Sequence, residues 1–295
     1  MKRSLGEKVF TVINTIIMIL ICVISVYPYL NQVAISLNDG RDAMAGGITI
    51  FPRKFTWENY TTLFSDPSFV QAAKISVLRV LCATSLALLV TYAAAYGLTR
   101  KGLPYRKFLT LFLMLPGYIP VGTIPNYINI SNLGLLDNFW VYILPSLFGF
   151  YNMIIIRSYL QELPPEMEES AKIDGANDLT IMFRIIFPMT LPVVACVALW
   201  VSVGAWNDWT TTLIYVTEPD LHTLQYLMMR LVKEAETASK MSQQTAMSKG
   251  QVVPTVTGDT VKAATLIVTT LPILMVYPFL QKYFIKGINI GAVKG

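Results

Sequence analysis

Carboxylates are concentrated in one short stretch of the chain, residues 164–177, which reads PPEMEESAKIDGAN. Glu166, Glu168, Glu169 and Asp174 stand there against a single lysine, between two long apolar runs. Catalysis by such groups would need a nucleophile, a metal or an acid–base set beside them. The rest of the chain must supply those groups if the stretch is catalytic.

Few other side chains of the chain could take part in catalysis. His222 is the single histidine, and Cys22, Cys82 and Cys196 fall inside apolar runs without the spacing of metal ligands or of a disulfide framework. The chain also lacks G-x-x-x-x-G-K-[ST], so it cannot cradle nucleotide phosphates in the P-loop manner. We therefore expect no catalytic residue, no metal and no cofactor in this chain.

The composition is that of an integral membrane protein. Of its 295 residues, 54% are hydrophobic and only 14% are charged, and the mean hydropathy is +0.53. These values lie well away from the average of soluble proteins. The net charge of +5 comes from lysines and arginines clustered between apolar runs, a pattern that encodes membrane orientation rather than nucleic-acid binding.

Charge-free runs long enough to cross a bilayer predict the elements that position the acidic stretch. A spanning helix needs about 20 apolar residues, and these runs are uniformly apolar, without the alternation of barrel strands. The fold class is therefore an all-α membrane protein with six transmembrane helices. The runs lie within residues 9–38, 80–98, 108–136, 138–156, 185–207 and 263–281. Pro116, Pro120 and Pro125 predict a kinked or broken third helix.

The distribution of basic residues predicts the orientation. Lysines and arginines gather at the N-terminus, in the second and fourth loops and in the tail, so the positive-inside rule makes both termini cytoplasmic. We expect a single transmembrane domain over 9–295 and a retained first span rather than a cleaved signal peptide, because the first charge-free run is too long. Its parts outside the bilayer are the N-terminus 1–8, outward loops 39–69 and 208–262, a cytoplasmic loop 161–184 and a cytoplasmic tail 282–295.

The acidic stretch is predicted to form a short helix, a glycine turn and a second helix on the cytoplasmic face. Pro164 and Pro165 suit a helix start, and the glutamates complement its positive N-terminus. Gly175 ends the first helix, and Asn177 or Asp178 caps the next one. The small residues Ser170, Ala171 and Ala176 would let another protein approach closely.

This segment resembles the EAA loop of permease subunits of ATP-binding-cassette importers. Glu169, Ala171, Asp174 and Gly175 fit the form E-A-A-x-x-D-G-A…I-x-x-P, with Ser170 in place of the first alanine. The stretches LGLLDNFWVYILP, WNDW and QKYFIKGINIGAVKG look like the carbohydrate-uptake branch, in the maltose-permease style. Within that branch, the tail is most similar to permeases of complex-oligosaccharide, lipoprotein-linked uptake systems.

The resemblance implies a multi-pass subunit of a type I importer in the bacterial plasma membrane. It implies four kinds of partner: a paralogous permease, two ATPase subunits that bind ATP and magnesium, an extracytoplasmic solute-binding protein and an oligosaccharide substrate. The loop 208–262 would touch the binding protein, although a disordered spacer is the alternative. The short helix in 161–184 would be a coupling helix that docks on the ATPase. Its candidate residues are Glu169, Ser170, Ala171, Asp174, Gly175 and Ala176.

Amide and aromatic side chains are the expected lining of a sugar pathway, because sugars present hydroxyls and flat C–H faces. Three neighbouring pairs have that character, and Asn152 is the strongest candidate because a buried amide is costly against lipid. Aromatic residues at span ends could equally form the interfacial belt. The pairs are Asn126 with Tyr127, Tyr151 with Asn152, and Trp206 with Asn207.

Other functions stay open at this point. An importer permease for a non-sugar solute is one alternative, a secondary transporter another, and a channel is possible on spans alone. The span cores lack the acidic residues that usually mark ion coupling. Arg79 lies near mid-membrane, as a functional candidate, if the second helix is counted from Val70, and at the outer interface if it is counted from Val80. We expect the interface, with a snorkelling side chain.

Overall fold

The computed structural model of the protein describes residues 5–100, 102–119, 121–245 and 255–291, and the side chains of these apart from 5, 235–245 and 279–291. In this part of the chain the regular structure is helical, with one isolated bridge between Asn38 and Phe55. The α-helices are α1 Leu5–Ser36, α2 Gly40–Met44, α3 Glu58–Ser65, α4 Pro67–Thr99, α5 Arg106–Tyr118, α6 Thr123–Asn132, α7 Phe150–Gln161, α8 Glu166–Ile173, α9 Asp178–Thr180, α10 Phe187–Asn207, α11 Thr210–Tyr215, α12 Leu224–Thr245 and α13 Gly258–Gly291.

Four continuous helical stretches among the described residues are long and apolar enough to cross a membrane, and two bent pairs bring the number up to six. The continuous stretches are 6–36, 67–99, 178–207 and 258–278. The third predicted span is broken, as its prolines indicated: α5 and α6 meet at 117°, and Gly122 between them has φ +83°. Pro116 lies inside α5 and Pro125 inside α6, while the left-handed backbone at Gly122 prevents one continuous helix.

The fourth predicted span departs from a plain helix. Residues 138–149 form two 3₁₀ turns, Phe139–Tyr142 and Leu144–Ser146, and α7 follows with a bend of 49°. Asn138 accepts the backbone N–H of Trp140, and Pro145 stands at the start of the second turn. The cap at Asn138 and the proline at Pro145 thus set the local structure of this run, although its composition is uniformly apolar. The α-helix begins only at Phe150 and continues to Gln161, five residues beyond the predicted end.

The chain divides into two compact units. The first comprises residues 1–70 and 227–271. The buried amide of Asn38 holds its loop together. This amide donates to the carbonyl of Asp39 and to the carboxylate of Asp42, each at 2.9 Å, and accepts the backbone N–H of Lys54. Asn59 in α3 donates to the carbonyls of Ser36 and Asn38. These bonds fix the segment 39–65, which includes α2 and α3.

The second unit comprises residues 71–226 and 272–295 and contains the acidic stretch. Its main core joins α4, α7, α8, α10 and the segment 181–186, with fully or almost fully buried side chains at its centre: Tyr92, Ala95, Met153, Ile156, Ile181 and Val197. A second core packs Val141, Tyr142 and Ile143 against Ile130 and Val216. The acidic stretch is therefore attached to a packed core on one side.

Candidate functional site

The helix α8 is built from the first half of the acidic stretch. The backbone N–H groups of Glu168 and Glu169 donate to the carbonyl of Pro165 at 3.1 Å, which starts the first turn. Glu166, Glu168 and Glu169 all lie in that turn, where the helix dipole favours negative charge, and Lys172 lies in the last turn, where it favours positive charge. Local electrostatics thus support a helix of only eight residues.

A glycine turn ends α8 as predicted. Gly175 has φ +80°; its N–H donates to the carbonyl of Lys172, and the N–H of Ala176 donates to the carbonyl of Ala171, both at 3.0 Å. This pair of bonds is the Schellman motif, which satisfies carbonyls that a helix end would otherwise leave open. The hydrophobic contact that accompanies the motif is present, since Ala171 and Ala176 belong to the same core.

The chain then re-enters the membrane-spanning helix through a cap and a π-helix. The side chain of Asn177 accepts the backbone N–H of Thr180 at 2.8 Å, so Asn177, rather than Asp178, is the cap. Residues Ile181–Ile186 form a π-helix that leads directly into α10. The sequence predicts the cap but not the π-helix, which has no strong signature in apolar residues.

The exposed face of α8 differs in part from the predicted one. Glu169, Ser170, Asp174 and Gly175 are exposed, but Ala171 is only 6% exposed and Ala176 is half-buried. Ala171 therefore packs into the core of its own chain rather than facing outward, and Ala176 packs in part against the same core. The outward apolar residues are instead Met167 and Ile173, of which Ile173 is 86% exposed.

Glu168 joins α8 to the end of α4. Both guanidinium Nη atoms of Arg100 donate to the two carboxylate oxygens of Glu168, and the Nη2–Oε1 distance is 2.8 Å. The Cζ atom of Arg100 lies 3.9 Å from the ring centroid of Tyr96. A cavity of about 780 Å³ opens beside this contact, lined by charged groups from both sides, among them Arg106, Lys172 and Asp178. The number of charged residues in each loop does not predict that Arg100 pairs with Glu168.

Arg79 is buried rather than snorkelling, which corrects the expectation. It is 4% exposed, and it donates to the carbonyl of Asp208 at 2.8 Å and to the Asp208 carboxylate. Its Cζ atom lies 4.6 Å from the ring centroid of Tyr142. The Tyr142 hydroxyl donates to the carbonyl of Leu221 at 2.8 Å and hydrogen-bonds with Thr212. Arginine, aspartate and tyrosine thus join α4, the end of α10 and residues 139–142.

The Asp208 carboxylate is held in its ionised form. Burial by itself raises the pKa of Asp208, but hydrogen bonds from Thr210 and Thr211 and the charge of Arg79 outweigh burial and lower that pKa to about 2. Hydrogen bonds and an opposite charge favour the charged form of a carboxyl group. Asp208 belongs to the WNDW stretch, so one residue of that motif is the partner of Arg79.

The three amide–aromatic pairs lie in different surroundings. Tyr151 is 71% exposed and its ring stacks on Trp200 at 6.3 Å, beside a cavity of about 710 Å³. Asn152 is half-buried next to Gly149, where an added Cβ would lie 3.1 Å from its amide nitrogen. The structure adds Trp200, which the sequence analysis did not identify as an aromatic partner.

The other two pairs are placed apart from that cavity. Asn126 and Tyr127 are exposed on α6, and the Tyr127 ring stacks on Tyr215 at 6.0 Å. Trp206 is half-buried beside a smaller apolar cavity of about 150 Å³, and Asn207 is exposed at the end of α10. Within the described part of the chain, no three histidine, cysteine, aspartate or glutamate side chains are grouped as metal ligands would be.

Comparison with known proteins places these features in a family. The chain is 34% identical over 295 residues to Protein LplC of Bacillus subtilis, covering 100% of this chain and 98% of that protein. It is 33% identical over 281 residues to the polygalacturonan/rhamnogalacturonan transport system permease protein YtcP of the same organism, covering 94% and 96%. A chain of a bacterial ABC transporter involved in the import of the acidic polysaccharide alginate shares the fold, with a TM-score of 0.86, 21% identity and coverage of 96% and 99%.

The match to a family model extends over almost the whole chain. Residues 5–290 match the family described as the inner membrane component of binding-protein-dependent transport systems. This range includes the apolar helices, α8 with its glycine turn, and the Arg79–Asp208 contact. The chain belongs to the family of inner membrane components of binding-protein-dependent transport systems.

Proposed function

We propose that this chain is one half of the translocation pathway of an ATP-driven importer of oligosaccharides and that α8 couples it to a separate ATPase dimer. YtcP is named for the transport of polygalacturonan and rhamnogalacturonan, and the fold relative imports alginate. These substrates are all polymers of sugars or sugar acids. Their chemistry supports a saccharide chain as the substrate class of this permease.

The exposed apolar residues of α8 and α9 are the observation that carries the coupling role. Ile173 and Leu179 are 86% and 65% exposed, although each would gain about 1.5 to 3 kcal/mol if another protein buried it fully. Glu169 and Asp174 flank them with negative charge. A short helix that is fixed at both ends and presents apolar and acidic groups suits a docking element for a second protein.

The proposed complex contains a paralogous permease, two ATPase subunits that bind ATP and magnesium, and an extracytoplasmic solute-binding protein. Six spans, with each bent pair counted as one, would return the chain to the cytoplasmic side where it began. Closure of the ATPases would move the coupling helices together and switch the bundle between inward-open and outward-open states by rigid-body motion. The outward loop 208–262 would contact the binding protein.

The sugar pathway is proposed to use the exposed aromatic faces of the second unit. Tyr151 and Trp200 stack near parallel, at 26°, and offer a wide apolar surface next to the half-buried amide of Asn152. Aromatic faces pack against the C–H faces of sugar rings while amides bond to hydroxyls. Asn126, Tyr127, Trp206 and Asn207 are proposed as further lining or gating residues.

The test is uptake of labelled oligosaccharides by the reconstituted complex with its permease partner, ATPases and binding protein. We expect ATP-dependent uptake of at least one saccharide, and a weaker apparent affinity or lower rate in Tyr151→Ala and Asn152→Leu. Leu89→Ala, which alters an exposed apolar residue of α4 outside the proposed pathway and loops, is the matched control. Wild-type complex that hydrolyses ATP in response to a non-sugar solute alone would contradict the substrate class. Unchanged uptake in both variants would remove Tyr151 and Asn152 from the pathway.

A further inference from the structure

The inward face of α8 makes two kinds of contact with its own chain. Ala171 enters the core that also contains Tyr96 and Leu98 from α4, and Glu168, three residues earlier, pairs with Arg100. Residues three apart lie on the same side of a helix. The remaining residues of α8 from Glu166 to Ile173 are exposed. One face therefore holds the helix to α4 and the other is open to a partner.

The contact of Arg100 with Glu168 is a bidentate ion pair of fixed orientation, which we call the tie between α4 and α8, rather than a loose surface pair. The guanidinium engages both carboxylate oxygens, and two parallel bonds fix orientation as well as distance. The two side chains are 23% and 27% exposed, so solvent screens them less than it screens an exposed pair. Tyr96, itself 6% exposed, supports the guanidinium from one side at 3.9 Å, as cation–π contacts do.

The position of Arg100 connects this tie to one particular element, the end of α4. Arg100 directly follows α4, and its backbone N–H donates to the carbonyl of Gly97 at 3.1 Å, which continues the last turn. Displacement of α8 would therefore pull or push on the end of a 33-residue helix that carries Tyr92, Ala95 and Tyr96 in the core. The Ala171 contact alone is non-directional, because apolar packing permits sliding.

We propose that Arg100 is a positioning residue that ties α8 to α4 through Glu168, so that movement of α8 is transmitted to the membrane-spanning helix. This inference rests on the proposed coupling role of α8. It assigns the inward face to transmission and the outward face to docking. Loss of the tie leaves the ATPase bound and active but lowers the amount of solute moved per ATP hydrolysed.

The test uses the complete complex reconstituted in lipid vesicles, with uptake and ATP hydrolysis measured on the same sample. The variants are Arg100→Glu, Glu168→Arg, the double charge swap, and Arg100→Lys. We expect each single reversal to lower uptake per ATP at least fivefold while the ATPase copurifies at the wild-type ratio. The double swap should restore at least half of the wild-type ratio, and Arg100→Lys should be intermediate because it keeps the charge without the bidentate geometry. Lys107→Glu, the same charge reversal at an exposed basic residue of α5, is the matched control.

Two outcomes would overturn the proposal: a wild-type uptake-to-ATP ratio in the single reversals, or a double swap that inserts normally and stays as uncoupled as the singles. Failure of the coupling role itself gives a different result. In that case Ile173→Asp, on the outward face, would leave ATPase copurification unchanged. The two faces of α8 are thus tested separately.

Discussion

Asp208 shows how a single residue makes a buried charge tolerable. Arg79 is almost completely removed from solvent, and an uncompensated charge in such a place costs several kcal/mol. The Asp208 carboxylate compensates it, while Thr210 and Thr211 satisfy the same carboxylate from the other side. The four side chains form one hydrogen-bonded group, so the removal of one leaves the others incompletely paired.

Asp208→Asn is expected to destabilise the protein by about 3 kcal/mol at neutral pH, because it leaves the Arg79 charge buried without a counter-charge. The pKa of Asp208 is lowered from 3.8 to about 2 in the folded protein. A depressed carboxyl pKa gives stability that is fully present above the unfolded value and is lost as pH falls through the folded value. The difference in melting temperature between wild type and Asp208→Asn should therefore be constant above about pH 4 and shrink toward pH 2.

The measurement is thermal unfolding of the detergent-purified proteins over that pH range. Asp220→Asn is the control, since Asp220 is an exposed carboxylate between α11 and α12 and should change the melting temperature little. A difference that persists undiminished at pH 2 would show that Asp208 acts through its shape rather than its charge.

Ile173 is the second residue for which a specific effect is expected. Ile173→Asp places a charge at the most exposed apolar position of α8, where a docked ATPase would have to bury it. We expect loss of ATPase copurification by at least tenfold, with unchanged insertion of the permease. Tyr105→Asp changes another exposed residue, 82% accessible in the segment before α5, and serves as control. Equal loss in both variants would argue against a docking role specific to α8.

At the scale of elements, the segment from α8 to α9 was largely predictable, because its signals are local. Pro165, Gly175 and Asn177 each impose a backbone conformation within a few residues, and helix caps depend on such near neighbours. The orientation of α8 was less predictable. Which face is buried depends on Arg100, 68 residues away from Glu168, and no local pattern encodes that contact.

The membrane spans likewise combine features that the sequence predicted with features that it did not predict. The apolar runs predicted α1, α4, α10 and α13, since burial in lipid requires about 20 apolar residues in a row. They did not predict the 3₁₀ turns of 139–146 or the π-helix of 181–186, whose composition is as apolar as that of a regular helix. Arg79 was misjudged for a related reason: its counter-charge, Asp208, is distant in sequence.

Gly175 offers a test of the glycine turn as an element. No atom lies within 4 Å of a Cβ built at Gly175, so a side chain meets no clash and any cost comes from φ +80°. A non-glycine residue pays about 1 to 2 kcal/mol in that region, and asparagine pays least. We expect Gly175→Leu and Gly175→Ala to lower uptake per ATP severalfold, and Gly175→Asn to remain close to wild type.

The measurement is uptake and ATP hydrolysis on reconstituted complexes, as for the Arg100 variants. Gly204→Ala, in the exposed part of α10 where a Cβ also meets nothing within 4 Å, is the control and should retain the wild-type ratio. Wild-type transport by Gly175→Leu would contradict a role for the turn in docking.

At the scale of the whole molecule, the chain is expected to work beside a second, paralogous permease. One chain of this family supplies half of an enclosed pathway in the proposed complex. Coexpression with the paralogue and the ATPases should yield a complex with one copy of each permease, measured by native mass spectrometry, and only that complex should transport. A purified, transport-competent homodimer of this chain would contradict the heterodimer.

The apolar stretch of α1 has to enter the bilayer without help from the rest of its own chain. Residues 6–36 contain an 18-residue window of hydropathy 2.7, and none of that window is buried among the described residues. By comparison, about a third or more of each equivalent window in 67–99, 178–207 and 258–278 is buried. The translocon can therefore release α1 into lipid before α4 has been synthesised, because no residue of the window relies on the described part of the chain for its burial. Its partitioning is a property of the segment itself, independent of tertiary assembly.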